Sequence, residues 1–245
     1  MDRRLAEGAP VQVEGPPGLG KTLLAERLAA QLDASLALED GENPFLAEFY
    51  AGRPGAAFQS QLFFTLARHR QLLALRQSDL FSQATVCDFL FERDRIYAFM
   101  NLDDNELFIY QRLYDLLARD LAAPDLVIYL QTPTDLLKKR IKDRARRQGD
   151  PKSLTPGDEY VAELNEAYNH FFFHYNATPL LVVEAIEPSR LAMNACRRVC
   201  VVTPLRASIR LIASWQWLAP VAMFRVYCSW PGVSAMMNLR RGVAK

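Results

Sequence analysis

Short apolar runs alternate along the chain with longer stretches whose apolar residues recur every three or four positions. The runs at 10–14, 35–39, 84–88, 125–131 and 180–184 read as strands. Two of them, Leu126-Val-Ile-Tyr-Leu130 and Leu180-Leu-Val-Val183, are unbroken apolar stretches, as expected for strands covered on both faces of a parallel sheet. Helical patterns lie between them at 21–32, 44–51, 56–77, 103–121, 134–147 and 158–175. Pro133 and Pro156 sit near helix starts, where a missing N–H costs nothing. This alternation predicts an α/β fold, a five-stranded parallel sheet flanked by helices and joined by right-handed crossovers.

The junction between the first strand and the first helix adds chemistry to that frame. Gly15-Pro16-Pro17-Gly18-Leu19-Gly20-Lys21-Thr22 matches the phosphate-loop pattern Gly-x-x-x-x-Gly-Lys-Ser/Thr, in the strand–loop–helix setting the motif requires. The glycines let backbone N–H groups wrap an anion, and the helix N-terminus adds partial positive charge. Lys21 is expected to reach the β- and γ-phosphates of a nucleoside triphosphate, with the Thr22 hydroxyl on Mg²⁺. The fold expected is therefore a P-loop kinase core. Switches, motors and kinases share this loop, so the rest of the chain has to separate them.

Composition changes the picture only near the end. The chain of 245 residues suits an α/β domain with a sizeable core, and its overall net charge is +1. Residues 1–187 nevertheless sum to −8, while 188–245 carry nine Lys/Arg and no acid, along with all three tryptophans and three of the four cysteines. We read 1–187 as the kinase domain and 188–245 as an atypical basic tail. Its composition is what reading-frame slippage in a GC-rich gene would produce; a membrane-surface segment and a nucleic-acid arm are the alternatives. The run 211–224 is too short to span a bilayer, and an N-terminus within about ten residues of its first strand leaves no room for a signal peptide. The cysteines show no pairing or zinc spacing, which predicts a reduced, cytoplasmic setting.

Four segments point to phosphoryl transfer onto a small acceptor. Glu39, at the tip of the second strand, lies where a carboxylate can take a proton from an attacking hydroxyl, with Asp40 in reserve. On the helix 56–77, Gln61 and Arg68 are two turns apart on one face, about 10.5 Å along the axis, and both side chains can pair with a nucleobase edge. Taken alone, both read as surface positions. Asp88 ends the third strand beside the expected metal position, with Asp94, Arg93 and Arg95 following in the start of a helix. Arg140 and Arg144 are i, i+4 neighbours, and Arg146 and Arg147 extend past them, a guanidinium cluster suited to a transferring phosphoryl group. His170 and His174 share a helix face, but Phe171-Phe-Phe173 between them argues for packing, and neither they nor Cys196 and Cys200 read as metal ligands.

Together these residues resemble the deoxynucleoside kinases, especially the bacterial deoxyadenosine/deoxyguanosine kinase branch. The resemblance runs from about residue 10 to 187 through Val13-Glu14-Gly15-Pro16, Glu42-Asn43-Pro44-Phe45-Leu46, Phe49-Tyr50 and Phe58-Gln59-Ser60-Gln61-Leu62-Phe63-Phe64. It continues through Asp125-Leu-Val-Ile-Tyr-Leu-Gln131, Leu164-Asn-Glu-Ala-Tyr168 and Thr178-Pro-Leu-Leu-Val-Val183. It implies Glu39 as the base for the sugar 5′-hydroxyl, Tyr50 on the 3′-hydroxyl, and Gln61, Arg68 and Asp94 reading the base. Arg140, Arg144 and Arg146 would form a closing lid. It further implies a homodimer packed through helices 56–77 and 103–121. The chain departs from the family pattern in three places. Asp88-Phe89-Leu90 stands where many relatives have Asp-Arg-Ser, leaving Arg93 or Arg95 to supply the arginine. Arg144-Ala-Arg-Arg-Gln-Gly149 lacks the acidic pair of many relatives' lids, with Asp150 as the substitute. The adenine loop and final helix give way to the basic tail.

The expectation is thus a cytoplasmic kinase that moves the γ-phosphoryl group of ATP, with Mg²⁺, to a deoxynucleoside, a purine one on the resemblance. It is expected to bind no nucleic acid and to have no membrane span. A thymidylate-type monophosphate kinase and a nucleotide-binding protein that has lost turnover are the alternatives.

Overall fold

The structure, a computed structural model, describes residues 10–39, 42–78, 84–148, 156–185, 226–230 and 233–237. Its centre is a parallel sheet of β1 (Val11–Glu14), β2 (Ser35–Ala37), β3 (Thr85–Cys87), β4 (Leu126–Gln131) and β5 (Leu180–Glu184), in the order β2-β3-β1-β4-β5. Register pairs Val11 with Val86 and Leu126, Glu14 with Tyr129, and Leu130 with Val183. The five expected strands are all present. Two antiparallel strands of the basic tail, β6 (Val226–Trp230) and β7 (Val233–Met237), extend the sheet beyond β5.

Strand alternation sorts the core into layers. Val11 and Val13 of β1 point with Ile128, Leu130, Leu181 and Val183 toward α1 (Lys21–Leu32), which offers Leu24, Ala25 and Leu28, and α6 (Thr134–Gln148), which offers Leu137 and Ile141. The opposite face carries Val127 and Tyr129 against α4 (Asp94–Asn101) and α7 (Asp158–Phe173), with Tyr129 stacked on Phe172 at 4.1 Å. Cys87 and Phe89 pack on that side against α3 (Ala56–Ser78) and α5 (Asp104–Ala118). The short helix α2 (Leu46–Tyr50) packs against α3.

Several boundaries differ from the reading of the sequence by one to three residues, as frayed ends do. α5 begins where Asp103 caps it, accepting from Asn105 N and Glu106 N at 2.9 Å each in a capping box with Glu106. The chain between β3 and α5 holds a one-turn 3₁₀ helix, Phe91–Arg93, followed directly by α4. Of the phenylalanines expected to pack between His170 and His174, Phe172 is buried, whereas Phe173 is 84% exposed. At the helix end His170 and His174 face solvent, because their positions follow the exposed stripe of α7.

Candidate active site

The carboxyl ends of β1, β2 and β3 lie side by side, so Glu14, Glu39 and Asp88 emerge on one edge of the sheet. The phosphate loop leaves β1 under tight steric control. Gly15 has φ +154°, and a Cβ there would lie 2.7 Å from the Leu130 carbonyl oxygen of β4. Only glycine lets the loop pass this close to a neighbouring strand. Gly20 caps α1 in the left-handed conformation, with φ +82° and open space where a Cβ would be. Such a cradle, lined by glycine backbone at a helix N-terminus, suits a phosphate chain.

Lys21 lies over this loop, its Nζ donating to Gly15 O at 2.7 Å and Pro16 O at 3.4 Å, with Glu14 Oε1 4.0 Å away. Burial holds its amine below the usual lysine range, and Glu14 pulls against that. Its ammonium donors thus rest on carbonyl oxygens of the loop whose glycines would receive phosphate oxygens. The Thr22 hydroxyl donates to Asp88 Oδ2 at 2.6 Å, while Asp88 Oδ1 accepts from Glu39 N at 2.6 Å. One carboxyl group therefore joins the phosphate loop to the tip of β2.

Glu39 is the focus of charge. Its Oε1 accepts from Arg68 Nε at 2.9 Å and from a terminal nitrogen of Arg68, and also from Arg93 Nη2. Burial opposes ionisation of this carboxyl, but Arg93, Arg68 and Lys21 together outweigh it and bring its pKa down to about 2. Arg68 continues to Asp94, which accepts from its Nη1, and Gln61 Nε2 donates to Asp94 O at 3.0 Å. Burial raises Asp94 to about 6 although Arg68 and Arg93 favour its charged form.

Gln61 and Arg68 are 7% and 3% exposed, which corrects their reading as surface positions. α3 turns that face onto α4, where Gln61 meets the buried Asp94 and Arg68 meets both Asp94 and the part-exposed Glu39. Tyr50 closes α2 with its phenol pushed up by burial. The segment after Glu39 is pinned to α3 by Asn43, whose Nδ2 donates to Ser60 O at 3.0 Å and Oγ at 2.9 Å. Arg140 is half-buried on α6, and burial lowers its guanidinium; Arg144 and Arg146 on the next turns are exposed. The root of this helix bears on the phosphate loop, with Leu137, Ile141 and Leu19 in one apolar cluster. Asp40 and Asp150 lie outside the described residues.

Two further residues belong to the framework of the site: Glu14, which the sequence reading did not assign, and Arg93, which it offered only as an alternative to Arg95. Glu14 is fully buried and accepts from Gly15 N at 2.8 Å and Leu90 N at 2.9 Å. Arg93, 6% exposed, connects Glu14 and Glu39. Of the two candidate arginines after β3, Arg93 therefore turns inward, whereas Arg95 turns out, its guanidinium 6.0 Å from the Phe99 ring and 5.8 Å from the Tyr114 ring. A carboxylate ending the otherwise uncharged strand Val11–Glu14 was the available signal for the first, since a buried acid demands partners.

A five-stranded parallel core with a phosphate loop after β1, an acid at the tip of β2 and a basic helix over the loop defines a P-loop kinase. The sequence profile described as Deoxynucleoside kinase matches residues 11–210, and the chain belongs to that family. It is similar to the deoxyguanosine kinase of Bacillus subtilis (strain 168), with 34% identity over 140 residues, covering 56% of this chain and 67% of that protein. The deoxyadenosine kinase of Dictyostelium discoideum is 28% identical over 204 residues (78% and 80% of the two chains). That of Lactobacillus acidophilus is 28% identical over 201 residues (77% and 92%). Solved structures of deoxyadenosine kinase from M. mycoides share the fold. The form with bound dATP has TM-score 0.65 at 24% identity, and the form with dCMP and dCDP has 0.67 at 23%; each covers 78% of this chain and 99% of the other. The chain is a deoxynucleoside kinase, an ATP-dependent phosphotransferase. The family match also crosses residue 187 into the basic tail.

Proposed function

We propose that this chain phosphorylates the 5′-hydroxyl of a purine deoxynucleoside, with Glu39 as the base that receives the hydroxyl proton. The carrying observation is that the Glu39 backbone is tied through Asp88 to Thr22, the residue after Lys21 in the phosphate loop. The 5′-oxygen bonds to the γ-phosphorus, the bond to ADP breaks, and the proton passes to Glu39. A carboxylate held so strongly ionised takes a proton only as the oxygen loses its own electron density to phosphorus, which suits a late transfer in a loose transition state. Lys21 and the lid arginines Arg140, Arg144 and Arg146 stabilise the equatorial oxygens of the moving group. Tyr50 holds the 3′-hydroxyl, and Gln61, Arg68 and Asp94 read the base once Arg68 turns from Glu39 toward it. The names of the relatives, deoxyguanosine and deoxyadenosine kinases, support a purine.

Thr22 and Asp88 fit Mg²⁺. Their 2.6 Å contact brings one hydroxyl and one carboxylate oxygen together, hard donors that leave most of an octahedral shell to phosphate and water. Among the described residues no group of three or more His, Cys, Asp or Glu forms a metal cage. Bound there, Mg²⁺ would neutralise charge on the β- and γ-phosphates.

We further read the protein as a homodimer in the cytoplasm. Phe108, Ile109 and Leu116 on α5 and Phe99 on α4 are each more than half exposed, an apolar face suited to a second copy. A cavity of about 280 Å³ lined by Arg95, Phe99, Tyr110, Gln111, Tyr114 and Asp115 opens on the same side. Among the described residues no helix is long and apolar enough to cross a membrane.

The test is purified protein with ATP, Mg²⁺ and each of the four deoxynucleosides in turn. The expected result is 5′-monophosphate formed fastest from deoxyadenosine or deoxyguanosine. Turnover confined to monophosphate acceptors, or binding without product, refutes the proposal.

A further inference from the structure

The charges around Glu39 alternate in an unbroken series: Lys21, Glu14, Arg93, Glu39, Arg68 and Asp94. Arg68 and Asp94 belong to the acceptor side and Lys21 to the donor side. Glu14 and Arg93 belong to neither. Glu14 Oε1 lies 3.5 Å from Arg93 Nη1 and accepts from the Tyr168 hydroxyl at 3.3 Å, at a side chain with no exposed area. Arg93 spans from there to Glu39, its side chain 7% exposed.

A buried ion pair is weak evidence of stability, because desolvating two charges costs about what their attraction returns. A role in geometry accounts for it better. Glu39 is held by two arginines of different character. Arg68 sits on the helix that faces the acceptor and is shared with Asp94, so a bound base competes for it. Arg93 is tied backward to Glu14, which is itself fixed by two backbone N–H groups, Gly15 at the phosphate loop and Leu90 after β3. When Arg68 turns to a substrate, Arg93 remains.

We propose that Glu14 and Arg93 form a buried brace that positions Glu39 toward the acceptor hydroxyl and sets that aim from the root of the phosphate loop. Both are positioning residues, and the proposal rests on the reading of Glu39 as the base. The planar fork of Arg93 is essential, since it must meet two carboxylates at once.

The test uses the full chain with ATP, Mg²⁺ and its best deoxynucleoside, comparing Arg93→Met, Arg93→Lys, Glu14→Gln, the Glu14→Gln/Arg93→Met pair and Glu39→Gln, with thermal melts for each. Misplacing the base predicts a kcat loss of about a hundredfold for Arg93→Met, with KM for ATP moved less than about threefold. Arg93→Lys, which keeps the charge, should recover about a tenth of the original rate. The double variant should be no slower than the worse single one, because both remove the same brace. Folded Arg93→Met with kcat within about twofold of the unaltered protein overturns the proposal, as do losses that multiply in the double variant. Should Arg93→Met not fold, Glu14→Gln decides: a kcat loss above about tenfold supports the brace and an unchanged kcat overturns it. If Glu39→Gln itself leaves turnover intact, the reading of Glu39 as base is what has failed. If Glu39→Gln stops turnover while Arg93→Met does not, only the brace has.

Discussion

Two alanine substitutions in the phosphate loop should separate its structural glycine from its ligand-facing one. At Gly15 the new methyl group would sit 2.7 Å from the Leu130 carbonyl oxygen and 3.1 Å from Leu130 Cβ, against a central strand that cannot retreat. It would also have to hold φ at +154°, a region that side-chain-bearing residues rarely enter. Backbone strain of about 1–3 kcal/mol and overpacking of about 1–3 kcal/mol together predict a loss near 4 kcal/mol. At Gly20 a methyl group would meet nothing within 4 Å, so only the φ of +82° opposes it. The cost there is about 1 kcal/mol. For a chain of this size 1 kcal/mol lowers the melting temperature by about 2–4 °C, so Gly15→Ala should fall about 8–16 °C and Gly20→Ala only a few degrees. Urea unfolding and thermal melts, each with and without ATP, provide the measurement. Gly20→Ala should weaken the shift that ATP confers, since the methyl group would occupy open space in the phosphate loop. Equal melting temperatures for the two variants would refute the steric argument, since the two positions differ mainly in what a Cβ would touch.

Three further outcomes follow from the same geometry. Glu39→Gln should lower kcat by about 10²–10⁴-fold, the range for loss of a general base, while ATP still raises the melting temperature; steady-state kinetics and thermal shift together check this. Asp94 holds its proton up to about 6 in the folded chain and only to 3.8 when unfolded, so the native state binds the extra proton between these values. Its contribution to stability therefore falls as pH rises through that window, and Asp94→Asn should flatten the slope in urea titrations from pH 4 to 7. Phe108→Glu, at a side chain 55% exposed, should leave the fold intact but shift the mass in light scattering from dimer to monomer.

The sheet and its acidic tips were legible because each strand is a short apolar run, and parallel packing forces the carboxyl ends together. Glu39, Asp88, Lys21 and Thr22 could be placed by counting from those ends. The buried half of the site was less visible. Gln61 and Arg68 sit on a helix whose apolar residues surround it broadly, so periodicity did not reveal that their face turns inward. Arg93 and Arg95 looked equivalent because sequence spacing does not register a single 3₁₀ turn, and Phe91–Arg93 is what sends the first inward. Glu14 was hidden by its place in a strand, where an acid next to a phosphate loop reads as part of the motif. Strand β6 pairs with the edge of β5 and β7 with β6, and no alternation of charge in that tail announced it.

Asp88 links two parts of the chain that the proposed reaction uses separately. One of its oxygens faces the Thr22 hydroxyl and the other grips the main chain at Glu39. The two oxygens of a carboxyl group are fixed relative to each other, so a shift of the group on the Thr22 side also moves the acceptor that holds Glu39 N. On the proposed roles, a cation held at Thr22 would thus be coupled to the position of Glu39 across a lever only one side chain long.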